Sequence, residues 1–413
     1  MQLDDKQYAV LYKINVALNV EQETIRIDPS EIVSITIIHN YDIATYPIIR
    51  LRLYSDITVL EKLVKDTNSI QIMANLDGAV YRVNEKEQSS PKLITSASSI
   101  AFTLKGYIEN KNTPVSFMDQ YENGLLKQSN LNQNIKVPIE LYGYQKDLIH
   151  KMKQKPESIY KDISVQSVIE TCLKRNGIYQ YHIDPAHNQT KYDQILLPNL
   201  DILNTISFLN EKYGLYQKSG QLYGDLDQLY ICDSDSNFIN QLLTIYVMKQ
   251  SDTNASGLIK LNTNQYGMCT MAQNVSFISE TEIERTLHAE NMTSINFKSL
   301  KVDQSVLTRL FGEKIKSDAK INAPSISHRN ISDYVLSSHI ARINESITKI
   351  DISGIGYDIG KMKINTRYGL LFESPIRGLN VNQYYRPTFV NHVIKNLSGE
   401  LFYAQTSMNL VSN

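Results

Sequence analysis

Residues 354–360 contain three glycines, Gly354, Gly356 and Gly360, in a pattern similar to the loops that bind dinucleotides. Such a loop needs a helix directly after it, because the free amide groups at the start of that helix bind the pyrophosphate. Here the following residues, 361–364, alternate between polar and apolar side chains and predict a strand. The pattern therefore favours a β-turn or bulge over a cofactor site.

Two other segments contain side chains that could bind a metal ion. Residues 233–237 match the first half of a calcium loop, but Phe238 stands where glycine is needed and Thr244 where a bidentate glutamate is needed. We therefore predict a polar loop between strands. The second segment, residues 182–193, offers nitrogen and oxygen ligands. Their spacing fits neither a helix face nor adjacent strand positions, and Pro185 lies between them. We predict a surface loop for its four candidate ligands, which are His182, Asp184, His187 and Asp193.

The other reactive side chains are predicted to be structural. His392 shares one face of a predicted strand with Val390 and Ile394, which is typical of a packed histidine. The cysteines are odd in number and form no C-x-x-C pair, so we predict small buried apolar residues rather than disulfides. These are Cys172, Cys232 and Cys269.

No catalytic signature is recognisable in the sequence. It contains no G-x-S-x-G, H-E-x-x-H or Walker A motif and no catalytic Cys/His signature, and its 43 acidic residues include no distinguishable pair. We therefore predict no catalytic residue, no cofactor and no metal ligand, and we expect the protein not to be an enzyme.

Charge and hydropathy exclude two further classes of function. The chain has 42 Lys plus Arg against 43 Asp plus Glu, a net charge of -1, and its densest basic stretch, 151–161, is predicted to be a solvated linker. This balance argues against stable nucleic-acid binding. The start has no secretory pattern, and no apolar run approaches the ~20 residues of a membrane helix. We expect synthesis in the cytoplasm and no membrane insertion.

Residues 1–145 are predicted to form a small antiparallel barrel with one helix. Apolar and polar side chains alternate along 10–16, 49–53 and 99–108, which is typical of strands with one buried face. Ser55 is the expected N-cap of the helix, and Asp77-Gly78 is expected to be a hairpin turn.

Residues 146–240 differ, because their apolar side chains repeat with a helical period. Ser164 is expected to cap a helix over 164–176, and Asp201 a second helix that ends at Gly214. A strand over 178–183 and a small meander complete an α+β domain.

Residues 241–413 are predicted to form a second β-barrel. A polar, partly helical insertion is expected around 279–346, with a helix beginning at Ser332 or Asp333. The last two strands, 388–394 and 402–410, form a hairpin with a turn near Ser398-Gly399. The predicted fold class is mostly β with an α+β insert: two tube-like antiparallel β-barrels separated by a small α+β domain.

This order of elements resembles the central baseplate hub proteins of contractile phage tails, the late-control-D tail proteins and the hub part of VgrG-type injection spikes. Three stretches support the resemblance: 199–232 with its Lys-Tyr-Gly-Leu helix end, 332–354, and the terminal hairpin 384–410. Family members commonly close with a V-x-x-V-x-H strand, and Phe389, Val390, His392 and Val393 stand near that pattern.

The resemblance implies a homotrimeric symmetry adaptor, made late in infection, in the virion tail baseplate of a phage or related contractile injection system. Two tube-type barrels per chain would let three chains dock on the hexameric tail tube while the other end holds the trimeric spike. The expected partners are other copies of the chain, the tail tube protein, the spike or cell-puncturing protein, the tape measure protein and the baseplate wedge proteins.

Two alternatives remain open at this point. A distal-tail or tail-tip protein of a long flexible tail would also contain tube-like barrels, but as a hexamer with one barrel per chain. A tail-delivered cell-wall hydrolase could use a tyrosine-rich surface to stack on sugars, and the chain has 26 Tyr. It would also need a catalytic carboxylate pair.

Overall fold

The computed structural model describes fourteen segments of the chain: 7–21, 23–40, 46–65, 70–83, 91–108, 136–216, 220–226, 228–233, 242–248, 257–262, 265–277, 348–363, 366–372 and 384–412. The N-terminal part is built from strands whose side chains alternate between a buried and a wet face. These elements are β1 Gln7–Val20, β2 Glu23–Ile27, β3 Ile32–Asn40, β4 Ile48–Asp56, α1 Ile57–Lys65, β5 Gln71–Val83, β6 Lys92–Ile108 and β7 Lys136–Tyr144.

The middle part is an α+β insert with its own core. Its helices pack beside a two-stranded sheet, β8 with β10, and a three-stranded sheet in the order β11-β12-β9. Its elements are α2 Lys146–Met152, β8 Ile159–Ser164, α3 Val165–Arg175, β9 Tyr181–Ile183, β10 Lys191–Leu196, α4 Ile202–Tyr213, β11 Gly220–Gly224 and β12 Leu229–Asp233.

The predicted helix signals of the insert are confirmed. The Ser164 side chain accepts from the Ser167 backbone N–H (3.3 Å), and Asp201 Oδ1 accepts from the Asn204 backbone N–H (2.8 Å). Gly214 ends α4 in the left-handed conformation, with φ 63°. The predicted strand over 178–183 is shorter than expected, because only Tyr181–Ile183 pairs, in parallel with β12.

The C-terminal part returns to strands. These are β13 Leu242–Met248, β14 Gly257–Asn262, β15 Gln265–Phe277, β16 Thr348–Ile355, β17 Arg367–Phe372, β18 Tyr384–Ser398 and β19 Leu401–Ser412. The predicted terminal hairpin is confirmed as β18 and β19. The predicted insertion around 279–346 and its helix lie outside the described residues.

Strand pairing closes two rings that share this hairpin. The first ring runs β1-β5-β6-β7-β4-β3-β18-β19 and returns to β1, with every pair antiparallel. The second ring runs β13-β17-β18-β19-β16-β15 and returns to β13. One hydrophobic core runs through both rings, from Val10 and Leu51 to Ile245 and Leu370.

The fold class is therefore confirmed as mostly β with an α+β insert, with one difference in the second ring. Its strand β13 lies parallel to both of its neighbours, β15 and β17. The expected antiparallel order assumes short hairpin connections, whereas a long connection between two strands also permits parallel pairing.

Two predicted turn and cap residues are wrong. Thr58 donates its backbone N–H to Asp56 Oδ1 (2.9 Å), while Ser55 lies in β4 and bonds Glu31. Asp77-Gly78 is no hairpin turn, because β5 continues through it. A Cβ at Gly78 would lie 2.9 Å from the Tyr12 ring and 2.5 Å from Ser98 O. Glycine is present here because neighbouring strands approach closely at a bulge.

Candidate functional site

The terminal hairpin joins the two rings because each of its strands divides its outer edge between them. Along β18, residues 389–395 pair with β3 of the first ring, and residues 384–385 pair with β17 of the second. Along β19, residues 401–403 pair with β1, and residues 405–411 pair with β16. Because two strands belong to both walls, the rings cannot move independently without breaking backbone hydrogen bonds.

Backbone and tyrosine hydrogen bonds lock the segment after β16 onto the first ring. Tyr12 Oη donates to the Tyr357 carbonyl (3.0 Å) and accepts from the Ile359 N–H (2.9 Å). The Gly356 carbonyl accepts from the Val10 N–H (2.8 Å), and the Gly356 N–H donates to Ala404 O (2.9 Å). Burial, with the negative charge of Asp358 nearby, raises the pKa of Tyr12 well above its ordinary value.

The three glycines of 354–360 allow the chain to pack this closely. A Cβ on Gly354 would lie 1.8 Å from Tyr357 Oη, which itself donates to Cys269 O (3.0 Å). Gly356 has φ +77°, and a Cβ on Gly360 would lie 2.4 Å from Ser98 Cβ. The segment is therefore a tight turn, as predicted.

The strand expected after that turn is wrong. Residues 359–361 form a 3-10 helix and residues 362–363 belong to no strand. The reason is that Ile359 and Met362 are both buried in the core, and a spacing of three residues fits a helical turn rather than a strand. A helix of three residues presents too few free amides to hold a pyrophosphate, so the segment lacks the geometry of a dinucleotide-binding loop.

His392 lies at the joint of the rings, where the fold packs it completely. Its side chain lies within hydrogen-bond distance of Thr406, with 2.9 Å between Nδ1 and Oγ1, and its ring centroid is 6.4 Å from that of His39. Burial, together with the neighbouring His39, lowers the pKa of His392 to about 3. It is a neutral core residue, as the strand pattern predicts.

The insert contacts the first ring through the turn after β11. His39 Nε2 lies 3.9 Å from Asp225 Oδ1, and Gln145 Nε2 donates to the carbonyls of Asp225 (2.9 Å) and Leu226 (3.0 Å). A groove of about 910 Å³ lies beside this contact, between β6 and α2, with Lys105 and Lys146 among its lining residues.

The outer wall of the first ring is polar and ion-paired. Glu140 on β7 accepts hydrogen bonds from Arg50, Arg52 and Tyr142. Partial burial alone would raise the pKa of Glu140. The hydrogen bonds from Arg50 and Tyr142 outweigh this effect, so the pKa of Glu140 lies below its ordinary value. This face is wet, whereas the opposite face of the same strands lines the core.

Within the insert, His182, Asp184 and Cys232 form a cluster, of which the sequence indicated the first two but not Cys232. The surface loop predicted for them is wrong, because His182 lies in β9 and Asp184 is buried. The ligand atoms of all three residues lie within 4.8 Å of one another, and His182 Nε2 is 2.9 Å from Asp184 Oδ1. His187 and Asp193, which the sequence placed with His182 and Asp184, lie outside this group. Cys232 joins it because β9 pairs in parallel with β12.

The Cys232 thiol is a poor nucleophile in this setting. Burial, together with the nearby Asp184 carboxylate to which the thiol is hydrogen-bonded, raises its pKa to about 12. His182 bonds the carboxylate through Nε2, so the arrangement is not that of a nucleophile next to its general base. Cys172 and Cys269 are buried and belong to no disulfide, as predicted.

Among the described residues, no helix combines the length and the hydropathy needed to cross a bilayer.

The segment 233–237 is described only at Asp233, so the calcium-loop prediction for the rest lies outside the described residues. In the basic stretch 151–161, α2 ends at Met152 and β8 begins at Ile159, and the residues between them are mostly exposed and belong to no helix or strand, as expected of a solvated linker.

The model of one protein family, described as "Bacteriophage PBS1 gene 109 protein", matches residues 8–376. The chain belongs to this phage family. The resemblance expected from the sequence is thus confirmed at the level of a bacteriophage protein. No curated protein matches the chain.

Several solved structures are similar to this gene 109 family member over nearly its whole length. A tail protein from Neisseria meningitidis MC58 has 10% identity, covers 97% of both chains and gives a TM-score of 0.48. The 43 kDa tail protein of prophage MuSo2 from Shewanella oneidensis has 11% identity, with 95% and 97% covered and a TM-score of 0.44. The prophage tail protein gp18 from Listeria monocytogenes EGD-e has 8% identity, with 97% and 94% covered and a TM-score of 0.43.

Proposed function

We propose that this chain is the central hub of a phage tail baseplate, acting as a homotrimer between the hexameric tail tube and the trimeric spike. The observation that carries the proposal is the pair of closed rings joined by one hairpin. Three such chains present six rings in fixed pairs, which suits a six-fold tube, while the three-fold symmetry of the whole suits the spike.

The near-zero net charge of the chain supports a role as part of a channel through which DNA and the tape measure protein pass. A hub that continues the tail channel passes the tape measure protein and DNA, and it must release both. Since DNA affinity grows with the number of phosphates neutralised by Lys and Arg, a net charge of -1 favours passage over binding. Cys172, Cys232 and Cys269 are buried, and the buried His392 lies within hydrogen-bond distance of Thr406, which supports a structural protein rather than an enzyme.

The proposed organisation keeps three units: 1–145, 146–240 and 241–413. In a virion the hub would meet wedge proteins at its periphery, after assembly in the host cytoplasm. The first unit also depends on the shared hairpin of the third. Residues 384–412 complete the wall of the first unit as well as that of the third.

Mass and symmetry test this proposal. Light scattering on the purified protein should give about three times the chain mass of 47.2 kDa. Electron microscopy after addition of the cognate tube protein should show rings with six lobes. A stable monomer at high concentration that forms no ring with tube protein would contradict the proposal, and a hexamer would favour a distal-tail ring instead.

A further inference from the structure

The cluster of His182, Asp184 and Cys232 has the composition of a zinc site. Imidazole nitrogen, carboxylate oxygen and cysteine sulfur are the three ligand types that Zn²⁺ takes in proteins. At zinc–ligand distances of about 2.0–2.3 Å, tetrahedral ligands lie roughly 3.3–3.8 Å apart. The three ligand atoms already lie within 4.8 Å of one another, so small side-chain movements bring them into range.

The backbone holds the central ligand in place. Asp184 Oδ2 accepts from the Asp233 backbone N–H (3.0 Å), and the Asp184 N–H donates to Ile231 O (2.9 Å). Oδ1 therefore faces His182. Hydrogen bonds of this kind orient a ligating carboxylate and are characteristic of the surroundings of metal sites.

The cluster is closed on one side and open on the other. The side chain of Asp184 is 4% exposed and Cys232 is buried, whereas the His182 side chain is 31% exposed. An ion can enter past His182, and a water molecule from that side can supply a fourth ligand. The charges also balance, because one carboxylate and one thiolate neutralise Zn²⁺ when the thiol proton leaves to solvent.

We propose that His182, Asp184 and Cys232 bind one Zn²⁺ ion that clamps β9 to the end of β12. Strand β9 has only three residues, and the clamp fixes it at the point where β12 ends and the chain leaves the insert.

Cobalt substitution tests the site on the full chain. Metal-free, reduced protein is titrated with Co²⁺, and one equivalent should give the visible bands of a tetrahedral ion and a near-ultraviolet sulfur-to-cobalt charge-transfer band. Zn²⁺ should abolish both by displacement. It should also raise the melting temperature of the wild type.

Matched variants identify the ligands. Cys232→Ser should remove the charge-transfer band, and His182→Gln and Asp184→Asn should each weaken Co²⁺ binding at least tenfold. Cys172→Ser and His187→Gln, which change the same residue types outside the cluster, should leave the titration unchanged. Circular dichroism of the metal-free variants should match that of the wild type; the partly exposed His182 makes its variant the one that best keeps the fold.

Three results would overturn the proposal. The first is a wild-type titration without a charge-transfer band. The second is a band that persists in Cys232→Ser. The third is loss of binding in Cys172→Ser or His187→Gln to the same extent as in the cluster variants, since the ion would then be bound elsewhere.

Discussion

The insert and the double ring bury hydrophobic cores in opposite ways. The insert assembles its core almost entirely from a continuous stretch, from Met152 to Ile231. The double ring joins residues from the two ends of the chain, so that Leu11 pairs with Tyr403 and Ile37 with His392. A contiguous unit can fold from its own residues, whereas a ring closed by its last strands pays a large loop-closure entropy before those contacts form.

The largest expected effect comes from removing the shared hairpin. A chain ending at residue 383 loses the strands that close both rings, so circular dichroism should show the melting transition of the insert but no cooperative unfolding of the ring strands. An isolated insert, residues 146–233, should still melt cooperatively because its core is internal. Cooperative melting of residues 1–145 alone would contradict this difference between the insert and the double ring, since it would show that the first ring does not need the hairpin.

A second, smaller effect is expected where the chain crosses between the rings. Gly354→Ala places a methyl group where Tyr357 Oη lies, at 1.8 Å, and should lower the free energy of unfolding by about 3 kcal/mol through overpacking. Chemical denaturation measures this. Gly399→Asn is the control, since nothing lies within 4 Å of Gly399 and Asn tolerates its φ of +57°. Equal losses in both variants would contradict the packing explanation.

The joint of the rings should also respond to pH. Because the pKa of His392 is about 3 in the folded protein and 6.5 is its ordinary value, the unfolded chain binds the proton first as pH falls. Stability from the neutral histidine is complete above pH 6.5 and is lost toward pH 3, which predicts a loss of about 2 kcal/mol between pH 7 and pH 5. Unfolding free energies at the two pH values measure it.

The variant His392→Gln should flatten this part of the pH dependence. His150→Gln, on the exposed face of α2, serves as its control and should keep the dependence of the wild type. If the pH dependence of His392→Gln equals that of the wild type, another group is responsible.

The smallest effect is expected in the insert. Ser164→Ala removes the side chain that caps α3 and should lower the free energy of unfolding by about 1 kcal/mol. Ser167→Ala is less informative because its hydroxyl also bonds Ser164, so Thr171→Ala, which lies later in the same helix, is the better comparison. Urea denaturation that showed no difference between Ser164→Ala and the wild type would exclude a stabilising cap.

The same division explains what the sequence could predict. The cap Ser164, the stop Gly214 and the buried stripe of α3 are local signals, and all of them were found. The pairing that closes each ring depends on partner strands that only the tertiary fold selects. For this reason the sequence predicts a turn at Gly78, where the structure has a continuous strand. The sequence does not connect Cys232 with His182, because the two are 50 positions apart and parallel pairing of β9 with β12 leaves no short-range pattern.

The shared hairpin also sets the order of events during synthesis. Strand β1 is synthesised long before its partner β19, so the first ring stays open until β19 has left the ribosome. A prematurely terminated chain therefore has neither wall complete and offers no finished surface to other components. Only chains that extend through β19 have both walls complete, which makes residues 384–412 a check on the integrity of the fold.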